Sequence, residues 1–290
     1  VACGSLWTVS KNGCIREYAL SHDPESIEFR SQFWEHTAQI NDCTTSQCCD
    51  FFAGDQSKIS GVRHRAKLLS CSDDRTVRVW NIDLKRCDAI IQPFSHRSAT
   101  MRSLAVSDHH IYVGASDGCV YVYSATSKTR RLANKKKKRI GVEAIFPLEI
   151  ELQCGRTVVS VIRTSKSKNN TLYHSQLFVA SWDATLRIWA IPKSNLDFRL
   201  IYTLSQHTDR ITALHISTNY IITASDDSSI RFYGRYHHDY DNIFVERTLH
   251  VGGRVKCLAL AHAPSPQYSG VLSYGLSDGT VGVHPYGPSL

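Results

Sequence analysis

A single pattern returns six times along this chain, and few folds can accommodate it. Its clearest copy is LLSCSDDRTVRVWNI at 68–82: an alternating run, an Asp-Asp-Arg turn, then a second alternating run that reaches Trp80. Two period-two runs split by turn-forming residues read as a β-hairpin. The other copies are LWTVSKNGCIREYAL (6–20), VGASDGCVYVYSA (113–125), LFVASWDATLRIWAI (177–191), IITASDDSSIRFYG (221–234) and a worn SYGLSDGTVGVHPY (273–286). Self-similarity at intervals of tens of residues is the mark of a repeat architecture.

Each hairpin after the first follows another alternating run, and most of these runs are announced by a His. His36 precedes INDCTTS, His96 precedes MRSLAVS, His207 precedes ITALHIS and His250 precedes VKCLALA. The fourth unit differs: a basic run of Lys135, Lys136, Lys137, Lys138 and Arg139 stands before VEAIFPL. Between hairpins lies one more strand-like piece, as in IEFRSQF (27–33), DAIIQPF (88–94), FRLIYTL (198–204) and NIFVERT (242–248). Each repeat therefore supplies four short strands, termed a to d. Four-stranded units of this size predict an all-β propeller with one blade per unit. The expected organisation is a single domain over 1–290 with blades near 1–35, 36–95, 96–135, 136–206, 207–249 and 250–290. Segments 46–65 and 151–175 are then long a–b insertions, and the SKSKNN tip of the second reads as a hydrophilic loop.

The His, the Ser and Asp at the b–c turn, and the aromatic that ends strand c resemble the WD-repeat family over nearly the whole chain. The resemblance implies a hydrogen-bonded relay of those four side chains. In the second blade it would use His36, Ser70 or Ser72, Asp74 and Trp80. The third offers His96 and Asp117 with Tyr123 in place of the Trp. The fourth has Ser181, Asp183 and Trp189 but no His. The fifth has His207, Thr223 or Ser225, Asp227 and Tyr233; the sixth has His250 and Asp278 but ends on His284. A buried Asp needs donors, and a His and a hydroxyl supply them. The first blade carries Asn12-Gly13 at its turn, so no relay is expected there. The first blade also starts at strand b and the sixth stops at strand c. At least six four-stranded blades are recognisable, incomplete at both ends, and the expectation is a segment of a longer, seven-bladed parent.

Composition narrows the function classes. No run approaches the roughly 18 apolar residues of a membrane helix, and VACGSLWTVS is no signal peptide. The ten Cys are mostly scattered singly through strand-like segments with no C-x-x-C pair, which favours buried reduced thiols and an intracellular protein, cytoplasmic or nuclear. A net charge of +8 suits an acidic partner without choosing among peptide, phosphoinositide and nucleic acid.

No catalytic constellation survives scrutiny, because the His–Ser–Asp sets recur at repeat spacing whereas an active site occurs once. His237, His238, Asp239 and Asp241 read as a loop, and Cys43, Cys48, Cys49 and His64 make a weak zinc candidate. No enzyme activity, cofactor, metal or small-molecule substrate is expected. In the WD-repeat family the d–a loops and b–c turns crowd one mouth of the channel. The resemblance places there Arg102, Arg210, Arg254 and Lys256, with Asp73, Trp182 and Asp226 in the b–c turns and the basic run 135–139 as a d–a loop. The resulting expectation is a protein-interaction scaffold whose mouth receives an acidic or phosphorylated segment. Trp182 would add a stacking platform. The alternative is an RNA-associated propeller of a ribonucleoprotein, since basic runs and a pI near 9.0 supply phosphate contacts. No RNA-module motif accompanies them.

Overall fold

The computed structural model describes residues 5–20, 27–46, 67–92, 98–107, 109–125, 128–133, 140–166, 173–192, 197–217, 220–234, 243–261 and 270–286. They are all-β, with no helix among them. Period-two runs rich in Val, Ile, Leu and aromatics fall into short antiparallel strands, because alternation puts one set of side chains on each sheet face.

Contacts divide the chain into two compact units, Val1–Gln153 and Cys154–Leu290. In the first, β1 (Ser5–Val9), β2 (Ile15–Leu20) and β3 (Ile27–Phe33) form a three-stranded first sheet. The second sheet is β4 (Ile40–Ser46), β5 (Lys67–Ser72), β6 (Val77–Asn81) and β7 (Arg86–Ile91), in that order. The third begins with β8 (Met101–Val106), β9 (His110–Ala115) and β10 (Cys119–Ser124). The chain then makes a separate hairpin of β11 (Lys128–Ala133) and β12 (Ile140–Ile145) before β13 (Leu148–Gln153) returns to pair with β10.

The third sheet thus differs from the sequence expectation. Its fourth strand is β13, paired from Cys119↔Gln153 to Tyr123↔Leu148, and not the nearer 128–133 segment. That segment pairs instead with 140–145, which overlaps the VEAIFPL run (142–148) read from sequence as the next strand a. Both segments alternate, so pattern alone did not choose between them. The step from third to fourth sheet therefore falls at Gln153/Cys154, against 135/136 by spacing.

The second unit opens with β14 (Val159–Lys166), β15 (Tyr173–Ser181), β16 (Leu186–Pro192) and β17 (Arg199–Leu204) as the fourth sheet. Strand β14 lies inside the predicted 151–175 insertion. The fifth sheet is β18 (Ile211–Ile216), β19 (Tyr220–Ser225), β20 (Ser229–Gly234) and β21 (Val245–His250). The sixth has three strands, β22 (Val255–Ala261), β23 (Gly270–Leu276) and β24 (Val281–Tyr286).

Sheets stack face on face within each unit. Val77 and Val79 of β6 meet Met101, Leu104 and Tyr121 of the third sheet. In the second unit, Leu186 and Ile188 meet Ile211 and Tyr233, and Ile230 and Phe232 meet Val255 and Leu272. All six b–c turns close on a residue in the left-handed region: Gly13, Arg75, Gly118, Ala184, Ser228 and Gly279. The residue before each of them, Asn12 or an Asp, accepts the amide two positions on, at 2.9–3.3 Å. This Asx turn fixes the hairpin locally.

Candidate functional site

Two relays are complete. In the second sheet Trp80 Nε1 donates to Ser70 Oγ (2.8 Å), which lies 2.7 Å from His36 Nε2, and His36 Nδ1 is 2.6 Å from Asp74 Oδ2. The indole can only donate, so Ser70 Oγ accepts from Trp80 on one side and meets Nε2 on the other, while Nδ1 faces Asp74. Ser72 has another task, donating to the Ala38 carbonyl. In the fifth sheet His207 Nδ1 meets Asp227 at 2.7 Å and Nε2 meets Thr223 Oγ1 at 2.7 Å, with Tyr233 buried beside Thr223. Burial works against ionised Asp227, yet hydrogen bonds from Ser229, His207 and the Thr208 amide bring its pKa down to about 2. For Asp74, too, burial is outweighed by His36 and Thr76, which hold it well below the usual carboxylate range.

The other sheets depart from the predicted relay. Asp117 accepts from Tyr121 (2.7 Å), while the buried Tyr123 hydroxyl has no partner among the described residues; His96 lies outside them. In the fourth sheet Asp183 is taken by Thr185 and by Arg187 at 2.9 Å. Cys154 occupies the stretch where a His would stand, beside Trp189, and burial pushes its thiol up to about 12. In the sixth, His250 and Asp278 are exposed, Asp278 caps Thr280, and His284 lies 2.8 Å from Arg247 Nη2.

A second constellation lies where the b–c turns meet the starts of strand a. The amides of Asp73, Ser116, Trp182, Asp226 and Ser277 donate to the carbonyls of Gln39, Thr100, Val158, Arg210 and Arg254 at 2.9–3.0 Å, one such tie in each of the second to sixth sheets. On this frame three cations reach back to the preceding sheet's turn. Arg102 Nη2 lies 3.6 Å from Asp73, Lys256 Nζ 2.6 Å from Asp226, and the Arg210 guanidinium 5.0 Å over the Trp182 ring. Arg210 also binds Asp226 within its own sheet at 3.0 Å. The Asp226 side chain is 2% exposed, so one buried carboxylate holds two cations. Arg254 is exposed and its guanidinium has no partner among the described residues.

A family model described as "WD domain, G-beta repeat" matches residues 28–81 and 198–234. These two stretches contain the two complete relays and no other. The chain is a WD-repeat β-propeller. Its curated relatives include "Nuclear distribution protein PAC1" of Candida glabrata, 25% identical over 77% of this chain and 47% of that protein. Another is "Cell division control protein 4" of Saccharomyces cerevisiae, 28% identical over 62% of this chain and 22% of that protein. The chain thus spans less than half the length of these relatives. The crystal structure of the designed Ika8 protein superposes with a TM-score of 0.63 at 15% identity, covering 100% of this chain and 70% of that one, a likeness of fold alone.

Within this propeller the second unit brings together Trp182, Arg210, Asp226 and Lys256, with Arg254 exposed just before β22, and the first pairs Arg102 with Asp73. The basic run 135–139 lies outside the described residues. The strands on either side of it, β11 and β12, form a hairpin between the third and fourth strands of one sheet. Sequence reading missed Asn41, whose side-chain amide donates to Asp73 (2.7 Å) and to the Met101 carbonyl (2.7 Å). Its position, second in strand a, is the only signal: Ser160 and Thr212 stand there too and donate to the carbonyls of Ile211 and Val255 at the next sheet. Among the described residues no three His, Cys, Asp or Glu side chains are placed to hold a metal; 237–241, Cys48, Cys49 and His64 lie outside them. No helix of the described residues is long and apolar enough to cross a membrane.

Proposed function

We propose that this WD-repeat chain is a non-catalytic, intracellular protein-interaction scaffold that receives an acidic or phosphorylated segment at the turn end of its second unit. The observation that carries this reading is the charge balance there. Arg210 and Lys256 share one buried carboxylate, Asp226; Arg210 also lies 3.9 Å from the exposed Asp209, and Arg254 is exposed with no acid on its guanidinium among the described residues. A partner carboxylate or phosphate makes charge-assisted hydrogen bonds to Arg254 and to the exposed donors of Arg210 and Lys256. Trp182, 40% exposed with Arg210 beside it, gives that segment an aromatic surface. The seven described cysteines are free thiols, which agrees with a reducing compartment.

The test is capture of partners from lysate by the wild-type chain and by a Trp182→Ala/Arg254→Glu variant. Arg210 and Lys256 stay untouched because Asp226 needs them. Loss of the captured proteins, with an unchanged unfolding midpoint, is the expected result. Full capture by the variant sinks the proposal, and so does release of all partners by RNase, the mark of an RNA-borne assembly.

A further inference from the structure

The core of the first sheet carries a charge that the repeat does not call for. Glu17 is the fourth residue after Gly13, the left-handed residue of its turn. At the same place the other five sheets have Val79, Val122, Ile188, Phe232 and Val283, all apolar. Glu17 is nonetheless only 5% exposed. A buried carboxylate is costly without donors, and this one has its own. Ser5 Oγ donates to Oε1 at 2.8 Å and Ser31 Oγ to Oε2 at 2.7 Å. The neighbouring cation is held off: Arg30 Nη1 stands 3.9 Å from Oε1 and donates to Ser5 Oγ at 3.2 Å. Two hydroxyls thus fix the carboxylate and leave lone pairs over, since its two oxygens can accept about four hydrogen bonds.

Glu17 lines a cavity of about 420 Å³ between the first sheet and the turn that follows β6. That volume falls within the roughly 300–1,000 Å³ of small-ligand sites. Trp7, the cross-strand neighbour of Glu17, and Ile82 give it apolar walls. Arg30, Asp83 and Lys85 are its exposed lining residues. We infer that this cavity receives a lysine side chain of a partner protein, with its ammonium on Glu17 and its methylenes along Trp7 and Ile82. A fold breaks its own core pattern where a site requires it, and a carboxylate in place of an aliphatic residue is such a break. An ammonium brings three donors to the remaining lone pairs of Glu17 and a cation to the Trp7 ring. An anion would meet two acids, Glu17 and Asp83. Arg30 and Lys85 decide between the sources of an alkylammonium. A free polyamine carries positive charge only and is repelled by them, whereas a peptide can set acidic residues on either side of its lysine. The site belongs to the first unit and does not depend on the turn end of the second.

The test titrates the 290-residue chain into a fluorescein-labelled Glu-Glu-Lys-Glu-Glu peptide with blocked ends and reads anisotropy. The expected result is binding that weakens roughly tenfold or more when the lysine is acetylated, a change made in the ligand alone. Glu17→Gln, which keeps an acceptor for Ser5 and Ser31, weakens it by a similar factor. Glu17→Leu, which gives the first sheet the aliphatic residue of its counterparts, removes binding without lowering the urea midpoint. Binding that ignores acetylation and persists in Glu17→Gln overturns the inference, because it places the acidic peptide on the cations of the second unit. Absence of binding up to about 1 mM peptide also sinks it. Spermidine that displaces the peptide at equal concentration rejects the lysine side chain in favour of a free polyamine.

Discussion

The second and fourth sheets carry the same Asp-x-Thr turn and the same Trp at the fourth position of strand c, yet they use the aspartate differently. Asp74 caps Thr76 and also closes a relay through His36 and Ser70 to Trp80. Asp183 caps Thr185 in the same way, but its other oxygen goes to Arg187, and Cys154 lies where the imidazole would be. The capping role of the Asp is local and survives in every described turn. Its relay role depends on a partner 20–38 residues away and survives in two. The repeated Asp is therefore first a turn residue and only second a relay member.

Removing the imidazole should give the widest gap between the two sheets. His36→Ala strands a buried carboxylate and removes the ring partner of Ser70, so a loss of about 3–5 kcal/mol is expected by urea unfolding. Cys154→Ala, at the matching place, removes only a sulfur and should cost about 1 kcal/mol. Equal losses would mean that the relay adds nothing beyond packing. Ser70→Ala orphans the Trp80 N–H and should cost about 2 kcal/mol, visible as a lower urea midpoint at unchanged slope.

Acid should separate the fifth sheet from the fourth. Burial holds His207 below the ordinary imidazole range even with Asp227 beside it. The unfolded chain therefore takes up that proton first, and this part of the stability is lost as pH falls below about 6.5. Asp227 adds a second loss as pH drops from about 3.9 towards its folded value of about 2. In the fourth sheet Asp183 is also held low, by Thr185 and Arg187 against burial, and its contribution is lost only below the carboxylate range. Hydrogen exchange between pH 7 and 5 should thus show the Ser229 amide losing protection while that of Thr185 does not; identical behaviour would break the distinction. The smallest effect tests what the sheets share. Ala184→Gly relieves a left-handed Ala (φ 65°) and should stabilise by about 0.5–1 kcal/mol in thermal or urea unfolding.

Most of the architecture was legible in the chain. The hairpins, the Asx turns and the strands β1, β2, β5, β6, β9, β10, β19 and β20 lie where alternation and turn residues put them, since each depends on contacts a few residues apart. The candidate site was legible by position only. Arg102, Arg210 and Lys256 were expected as a positive mouth, and each proves engaged with a neighbouring turn, Arg210 and Lys256 on one carboxylate. Nothing in the sequence near Asp226 announces Lys256, thirty residues on.

The sequence by itself determined the repeat, the left-handed turn after each Asp or Asn, and which strand faces are apolar. Those are set by backbone sterics and by hydrogen bonds that span two residues. Only the tertiary structure decided that β13 displaces the 128–133 strand beside β10, and that His36 and His207 meet an Asp while His250 does not. Each of these turns on which of several equally alternating strands comes to lie alongside, a competition between distant segments that local pattern leaves degenerate.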